Sequence, residues 1–235
     1  MHPALQPGAW PQGRDGSIVE VAEPLKGAAL QPGDIVLLGL CNEVGVLANG
    51  GRPGAAEGPA AFRAAFGRLP LRALQDRRRR YAGDIPASAP YEGFLEGAER
   101  VVAEVVRAGA LPLVIGGGHD CSYGVYRGLA ATGKAAVLAL DAHLDVRPEH
   151  GPNSGNPFFR MVEAGLEGPD LAQVGLQRFV NAEEHETWLR LKGATLQFLE
   201  PGRESEAVGT AKGALAAFAQ RQRRVLATFD LDAIS

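Results

Sequence analysis

Short apolar runs alternate with longer amphipathic stretches along most of this chain. Runs at 34–40, 111–115, 135–140, 171–176, 194–199 and 224–229 have the length and aliphatic content of buried strands. Between them, 55–66, 91–108, 121–131, 157–164, 182–191 and 204–221 read as helices. Within the second of these, Phe94, Leu95, Ala98, Val101, Val102 and Val105 recur at i, i+3, i+4 spacing and define one face for burial, so plain core packing accounts for them. Strands alternating with helices imply βαβ units, a mainly parallel sheet and a three-layer α/β/α domain. Residues 68–90 are rich in Arg, Pro and Ala without clear periodicity. They read as a surface excursion, in which 82–85 offers an edge strand.

Composition narrows the class. At 235 residues the chain suits one large α/β domain, which buries roughly 70% of its unfolded surface. Cys41 and Cys121 have no CxxC partner, the formal net charge is -3, and no apolar stretch follows Met1-His2-Pro3. These features fit a soluble protein of the reducing cytoplasm. The longest apolar runs fall far short of the roughly 20 residues a membrane-spanning helix needs. The arginine run at 77–80 stands alone, without interleaved aromatics, in a slightly acidic chain; a solvated helix end fits it better than a nucleic-acid patch. The glycines and prolines cluster at the ends of apolar runs, and no internal repeat is present.

The chemistry is concentrated where strands end. His119-Asp120 follows Gly116-Gly117-Gly118, and Asp141-Ala142-His143-Leu144-Asp145 and Asp230-Leu231-Asp232 each follow an apolar run directly. Ligands of an open parallel sheet gather outside the carboxyl ends of its strands. In a locally extended segment, residues at i, i+2 and i+4 leave on one side, so Asp141, His143 and Asp145 converge, as do Asp230 and Asp232. The glycines before His119 predict close backbone passage or positive φ. An Asp-x-Asp alone is weak evidence, since turns and helix caps use Asp constantly. Asp-x-His-x-Asp after an apolar strand has no packing rationale and points to a metal. Two imidazoles and four carboxylates exceed one tetrahedral zinc and suit two divalent ions of higher coordination number; the oxygen-rich set favours manganese. Two carboxylates about 4 Å apart repel by roughly 4 kcal/mol at an effective dielectric of about 20, so such a cluster needs cations. Asp120 orients a ligand from behind or caps the next helix. Cys121 has no activating histidine other than a presumed ligand and reads as a buried helix residue.

These motifs resemble the ureohydrolase, or arginase, family. The resemblance runs from Asp34 to the last residue and implies a three-layer α/β/α fold, two manganese ions per chain, and His119, Asp141, His143, Asp145, Asp230 and Asp232 as metal ligands, with Asp141 and Asp230 bridging. It implies hydrolysis of an amidine carbon–nitrogen bond by a water held between the metals, with Asp145 and His143 also serving catalysis. Within the family, Asn49-Gly50-Gly51-Arg52-Pro53-Gly54-Ala55, Asp145-Val146-Arg147, Ser154-Gly155-Asn156-Pro157-Phe158 and Gly175-Leu176-Gln177-Arg178-Phe179-Val180-Asn181 resemble the formimidoylglutamase branch. That branch splits N-formimidoyl-L-glutamate into glutamate and formamide. Phe158 stands where arginases and agmatinases place a proton-shuttling histidine. The branch implies that Arg147 and Arg52 grip substrate carboxylates bidentately, with Ser154 and Asn156 at the mouth of the site; the residue types alone also allow a surface ion pair for Arg147 and a turn and helix cap for Ser154 and Asn156. His150 and His185 read as solvated. The alternatives are an agmatinase- or guanidinobutyrase-type ureohydrolase, and a metal-binding relative without turnover. The family pattern also implies further strand–helix units beyond Ser235, so that 1–235 is one incomplete domain, and self-association into a homo-oligomer. No nucleic-acid or membrane partner is expected.

Overall fold

The structure, a computed structural model, describes residues 5–6, 30–67, 78–87 and 90–234. In chain order the elements are β1 (Ile35–Cys41), α1 (Val44–Ala48), α2 (Gly58–Phe66), β2 (Arg79–Pro86), α3 (Tyr91–Arg107), β3 (Leu111–Ile115), α4 (Ser122–Ala130), β4 (Ala135–Leu140), α5 (Pro157–Glu163), β5 (Leu171–Leu176), α6 (Glu183–Lys192), β6 (Thr195–Phe198), α7 (Glu204–Gln220) and β7 (Arg224–Phe229). Every pairing between named strands is parallel. They form two sheets, β2-β1-β3 and β6-β5-β4-β7, rather than the single sheet expected.

Helices cover both faces of each sheet, because successive side chains of a strand point to opposite sides. Val36, Leu38 and Leu40 of β1 enter one core with Phe94, Leu95, Ala98, Val101, Val102 and Val105 of α3. Leu37, one step out of phase, meets Phe62 of α2 on the other face. In the second sheet, Val137 and Ala139 pack with Phe158 and Met161 of α5, while Ala136 and Leu138 pack with Phe218 of α7. Tyr123 of α4 and Leu226 of β7 touch both larger cores and so join the two sheets around one interior. The α/β/α class is as expected.

Two local readings change. The suggested edge strand is the longer β2, paired in parallel with β1, and Gln6 adds an antiparallel bridge at Asp84. The arginine run is therefore not a helix end. Arg79 and Arg80 open β2, and Arg78 donates from Nε and Nη2 to both carboxylate oxygens of buried Asp34 at 2.8 and 2.7 Å. That guanidinium holds the Asp34 carboxyl below the usual carboxylate range. Arg77 and most of the expected excursion, 68–77 and 88–89, lie outside the described residues.

Candidate metal centre

The carboxyl ends of three strands deliver the donor groups. His119 follows β3, Asp141, His143 and Asp145 follow β4, and Asp230 and Asp232 follow β7. Their ligating atoms form two groups, His119–Asp141–Asp145–Asp230 and Asp141–His143–Asp232, each with its donor atoms within 4.8 Å of one another. Asp141 belongs to both. Asp230, expected as a second bridge, belongs only to the first.

His119 Nδ1 faces three carboxylates, 2.8 Å from Asp145 Oδ2, 3.1 Å from Asp141 Oδ2 and 3.4 Å from Asp230 Oδ2. Its Nε2 lies 3.2 Å from the Thr228 hydroxyl of β7. An outer partner of this kind orients a ligating imidazole and selects its tautomer. Phe158 packs its edge on the same ring at 5.3 Å and 82°. In the other group, His143 Nδ1 lies 2.9 Å from Asp232 Oδ2 and 3.7 Å from Asp141 Oδ1.

The donor set fits divalent cations on the evidence of Asp141. That residue is fully buried, and its Oδ2 touches His119 without a well-directed hydrogen bond. A buried carboxylate oxygen left so is costly, and a cation satisfies it. The titration pattern has the same origin. Burial opposes charge on His119, but Asp141 and Asp145 outweigh it and hold the ring well above the ordinary histidine range. Asp141, helped by Asp232 and Asp145, lifts His143 to about 9 against partial burial. Burial pushes Asp145 up to about 6, against the pull of His119. Asp141 also suffers burial, yet His119 and His143 bring it below the usual value.

Local backbone explains how these groups arrive. Asp145 sits at φ 45, a left-handed conformation that Asp tolerates better than most residues. None of Gly116, Gly117 and Gly118 has a positive φ; the close passage is the relevant constraint. A Cβ on Gly117 would lie 1.7 Å from the Asn42 carbonyl oxygen, so the β3 outlet crosses the β1 outlet only without a side chain there. Asp120 is buried against Gly45 of α1, makes no cap hydrogen bond to α4, and belongs to neither donor group. Cys121 is buried in the turn leading into α4, and burial pushes its thiol up, away from nucleophilic use.

A cavity of about 620 Å³ opens over the centre, reaching His119, His143, Asp145, Asp230 and Asp232. Arg147 and Ser154 lie on its wall. The Arg147 side chain runs over Gly155, and Ser154 accepts a hydrogen bond from Asn49 Nδ2 at 3.0 Å. Asn156 is instead fully buried behind the wall, where Nδ2 donates to the carbonyls of Glu149 and Gly151 at 2.8 and 2.9 Å. It shapes the 149–156 loop rather than lining the cavity. Arg52 is exposed in the segment after α1 and does not line the cavity either. His150 packs against Phe159 with ring centroids 5.7 Å apart. His185, expected to be solvated, lines it, and so does Asn181, which the sequence offered only as the last residue of the Gly175–Asn181 motif.

Imidazoles and carboxylates gathered at the carboxyl ends of parallel strands place a candidate metal centre in an α/β fold. Residues 33–235 match the arginase family model, and the chain belongs to that family. It is 33% identical over 204 residues to formimidoylglutamase of Rhodococcus jostii, covering 83% of this chain and 56% of the relative. It is 33% identical over 205 residues to formimidoylglutamase of Geobacillus thermodenitrificans, covering 83% and 62%. The chain thus spans a little over half the length of these curated relatives. Trypanosoma cruzi formiminoglutamase, solved with Mn2+, superposes with a TM-score of 0.73 at 32% identity, over 85% of this chain and 70% of that one. Formimidoylglutamase of Bacillus subtilis gives a TM-score of 0.81 at 22% identity, over 96% and 73%, a likeness of fold. Among the described residues, no helix is long and apolar enough to cross a membrane.

Proposed function

We propose that this chain carries the two-manganese site of a cytoplasmic hydrolase that cleaves N-formimidoyl-L-glutamate, the last hydrolytic step of one route of histidine degradation. Water adds to the formimidoyl carbon, the bond from that carbon to the glutamate nitrogen breaks, and L-glutamate and formamide leave. The carrying observation is the pair of donor groups sharing Asp141. The names of the relatives at 33% identity and the Mn2+ in the Trypanosoma cruzi structure support the substrate and the metal.

His119, Asp141, Asp145 and Asp230 would hold one ion, and Asp141, His143 and Asp232 the other. When bound, two divalent cations supply Lewis acidity and lower the pKa of a water they share. The residues do the rest. Asp145 and His143, both facing the cavity, are the candidates for moving a proton. Arg147 on the cavity wall grips a substrate carboxylate and repels a cationic guanidino head. Ser154 shares that wall, whereas we leave Arg52 and Asn156 out of the substrate site. Phe158, buried against His119, relays no proton.

The test is formamide and glutamate release by the manganese-loaded protein, before and after chelation. Loss on chelation with recovery on Mn2+ is expected, and turnover indifferent to chelator overturns the reading. Urea release from agmatine or guanidinobutyrate, in place of formamide, assigns an agmatinase- or guanidinobutyrase-type activity instead.

A further inference from the structure

We infer that Asn181 is a positioning residue: its side-chain amide clamps the loop after β4 on both sides of His143, and so sets the Asp141–His143–Asp232 site in place. The inference rests on the two-metal reading of those donor groups.

Asn181 follows β5 and lies on the cavity wall, where a substrate contact would be the first assumption. Its hydrogen bonds point elsewhere. Oδ1 accepts from the backbone N–H of Leu144 at 2.7 Å, and Nδ2 donates to the carbonyls of Ala142 at 2.8 Å and Gln177 at 2.7 Å. Two carbonyls need donors and one N–H needs an acceptor, so one amide orientation alone satisfies all three. Both Nδ2 hydrogens are engaged and are not available to a substrate.

The clamp acts on the peptide planes either side of His143, one through the Ala142 carbonyl and one through the Leu144 N–H. Fixing both planes fixes the direction in which the His143 side chain leaves the backbone. His143 needs this more than His119 does. The His119 side chain is 6% exposed and is held by Thr228 and Phe158, whereas that of His143 is 42% exposed and, among the described residues, has no ring contact of that kind. Other anchors on the loop spare the fold when Asn181 is changed. Gln177 N–H also donates to the Ala142 carbonyl at 3.0 Å, and buried Gln173 donates from Nε2 to the Leu144 carbonyl at 2.9 Å. Loss of Asn181 therefore loosens the His143 peptide without unfolding the loop.

Outer partners of metal ligands are worth roughly 10- to 100-fold in metal affinity. Titrating metal-free protein with Mn2+, with free ion counted by electron paramagnetic resonance, separates the two sites. The wild type is expected to bind two ions and show the signature of an exchange-coupled pair. Asn181→Ala is expected to keep one site near wild-type affinity, weaken the other by about 10- to 100-fold, and lose the coupled signature at limiting metal. Asn181→Asp, which keeps the acceptor for Leu144 but loses both donations, provides the same readout if the alanine variant does not fold. A general loss of stability would lower the melting temperature yet leave both sites intact in the folded protein. Unchanged binding, or equal weakening at both sites, overturns the inference. A wild type that binds fewer than two ions overturns the two-metal reading instead.

Discussion

The two acidic loops, Asp-x-His-x-Asp after β4 and Asp-x-Asp after β7, open with the same turn, His143 N–H on Asp141 Oδ1 and Asp232 N–H on Asp230 Oδ1, and differ in what else holds them. In the first, Asp141, Leu144 and Val146 are buried, and the backbone from 142 to 145 bonds to Asn181, Gln177, Gln173 and Phe158, all from later elements. In the second, Asp230 N–H bonds to the Leu140 carbonyl of the adjacent strand, and Asp232 and Ala233 turn back onto Asp230 itself. Leu231 between them is 73% exposed. Residue spacing is enough to aim side chains to one side, but rigidity of the aim comes from partners distant in sequence. The first loop is fixed by later parts of the chain; the second is fixed by its neighbouring strand and by itself.

Removing the residue common to both halves has the largest expected effect. Asp141→Ala takes a donor from each group and leaves His119 and His143 without their shared carboxylate, so bound Mn2+ measured after gel filtration falls from two ions toward none. Retention of one tightly held ion would show that the halves do not depend on each other through Asp141.

Next in size is a contrast in stability. Gln173→Leu leaves the buried Leu144 carbonyl without its side-chain donor and is expected to cost about 1–3 kcal/mol in urea denaturation. Leu231→Ser, on the exposed loop, is expected to stay within about 0.5 kcal/mol of wild type. Equal costs would mean that the two loops are held alike. Amide hydrogen exchange on metal-free and Mn2+-loaded protein sharpens the same point. Adding metal is expected to slow exchange at 230–233 strongly and at 142–145 little, because Ala142 and Leu144 are already buried whereas Leu231 is exposed.

The smallest effect is a pH dependence of the tie between the loops, His143 against Asp232. Asp141 first, then Asp232 and Asp145, hold the His143 imidazole at about 9, above its ordinary 6.5. A raised folded-state pKa gives metal-free protein stability that is full below about 6.5 and is lost as pH rises through about 9. The melting temperature is therefore expected to decline over that window, and less so in Asp232→Asn. A flat profile in both would mean that the half-exposed pair contributes nothing, as many such pairs do.

Much of the fold is legible along the chain. The alternation of apolar runs and amphipathic stretches locates the six anticipated strands, and the α3 face from Phe94 to Val105 is buried as its spacing requires. The arginine run was misread because a charge run says nothing of its partner: Asp34, far away in sequence, fixes Arg78. Likewise, the division into two sheets depends on which edges pair, and no run of apolar residues encodes its neighbour. Asn156 was expected at the cavity and lies behind it, since a polar residue beside a glycine serves a loop's backbone as readily as a ligand.

What the sequence alone determined is which residues are candidates for the chemistry: Asp141, His143, Asp145, Asp230 and Asp232, as ionisable groups at alternate positions after apolar strands with no use in packing, and His119, behind three glycines at a strand end. Tertiary structure decided their grouping. Only folding shows that Asp141 is common to both donor groups and Asp230 to one, and that Asn181 grips the loop while Asn156 lies behind the wall. The reason is physical: residue type and local spacing follow from covalent geometry, whereas distance, burial and hydrogen-bond partners between strands far apart in sequence exist only once the sheets have packed.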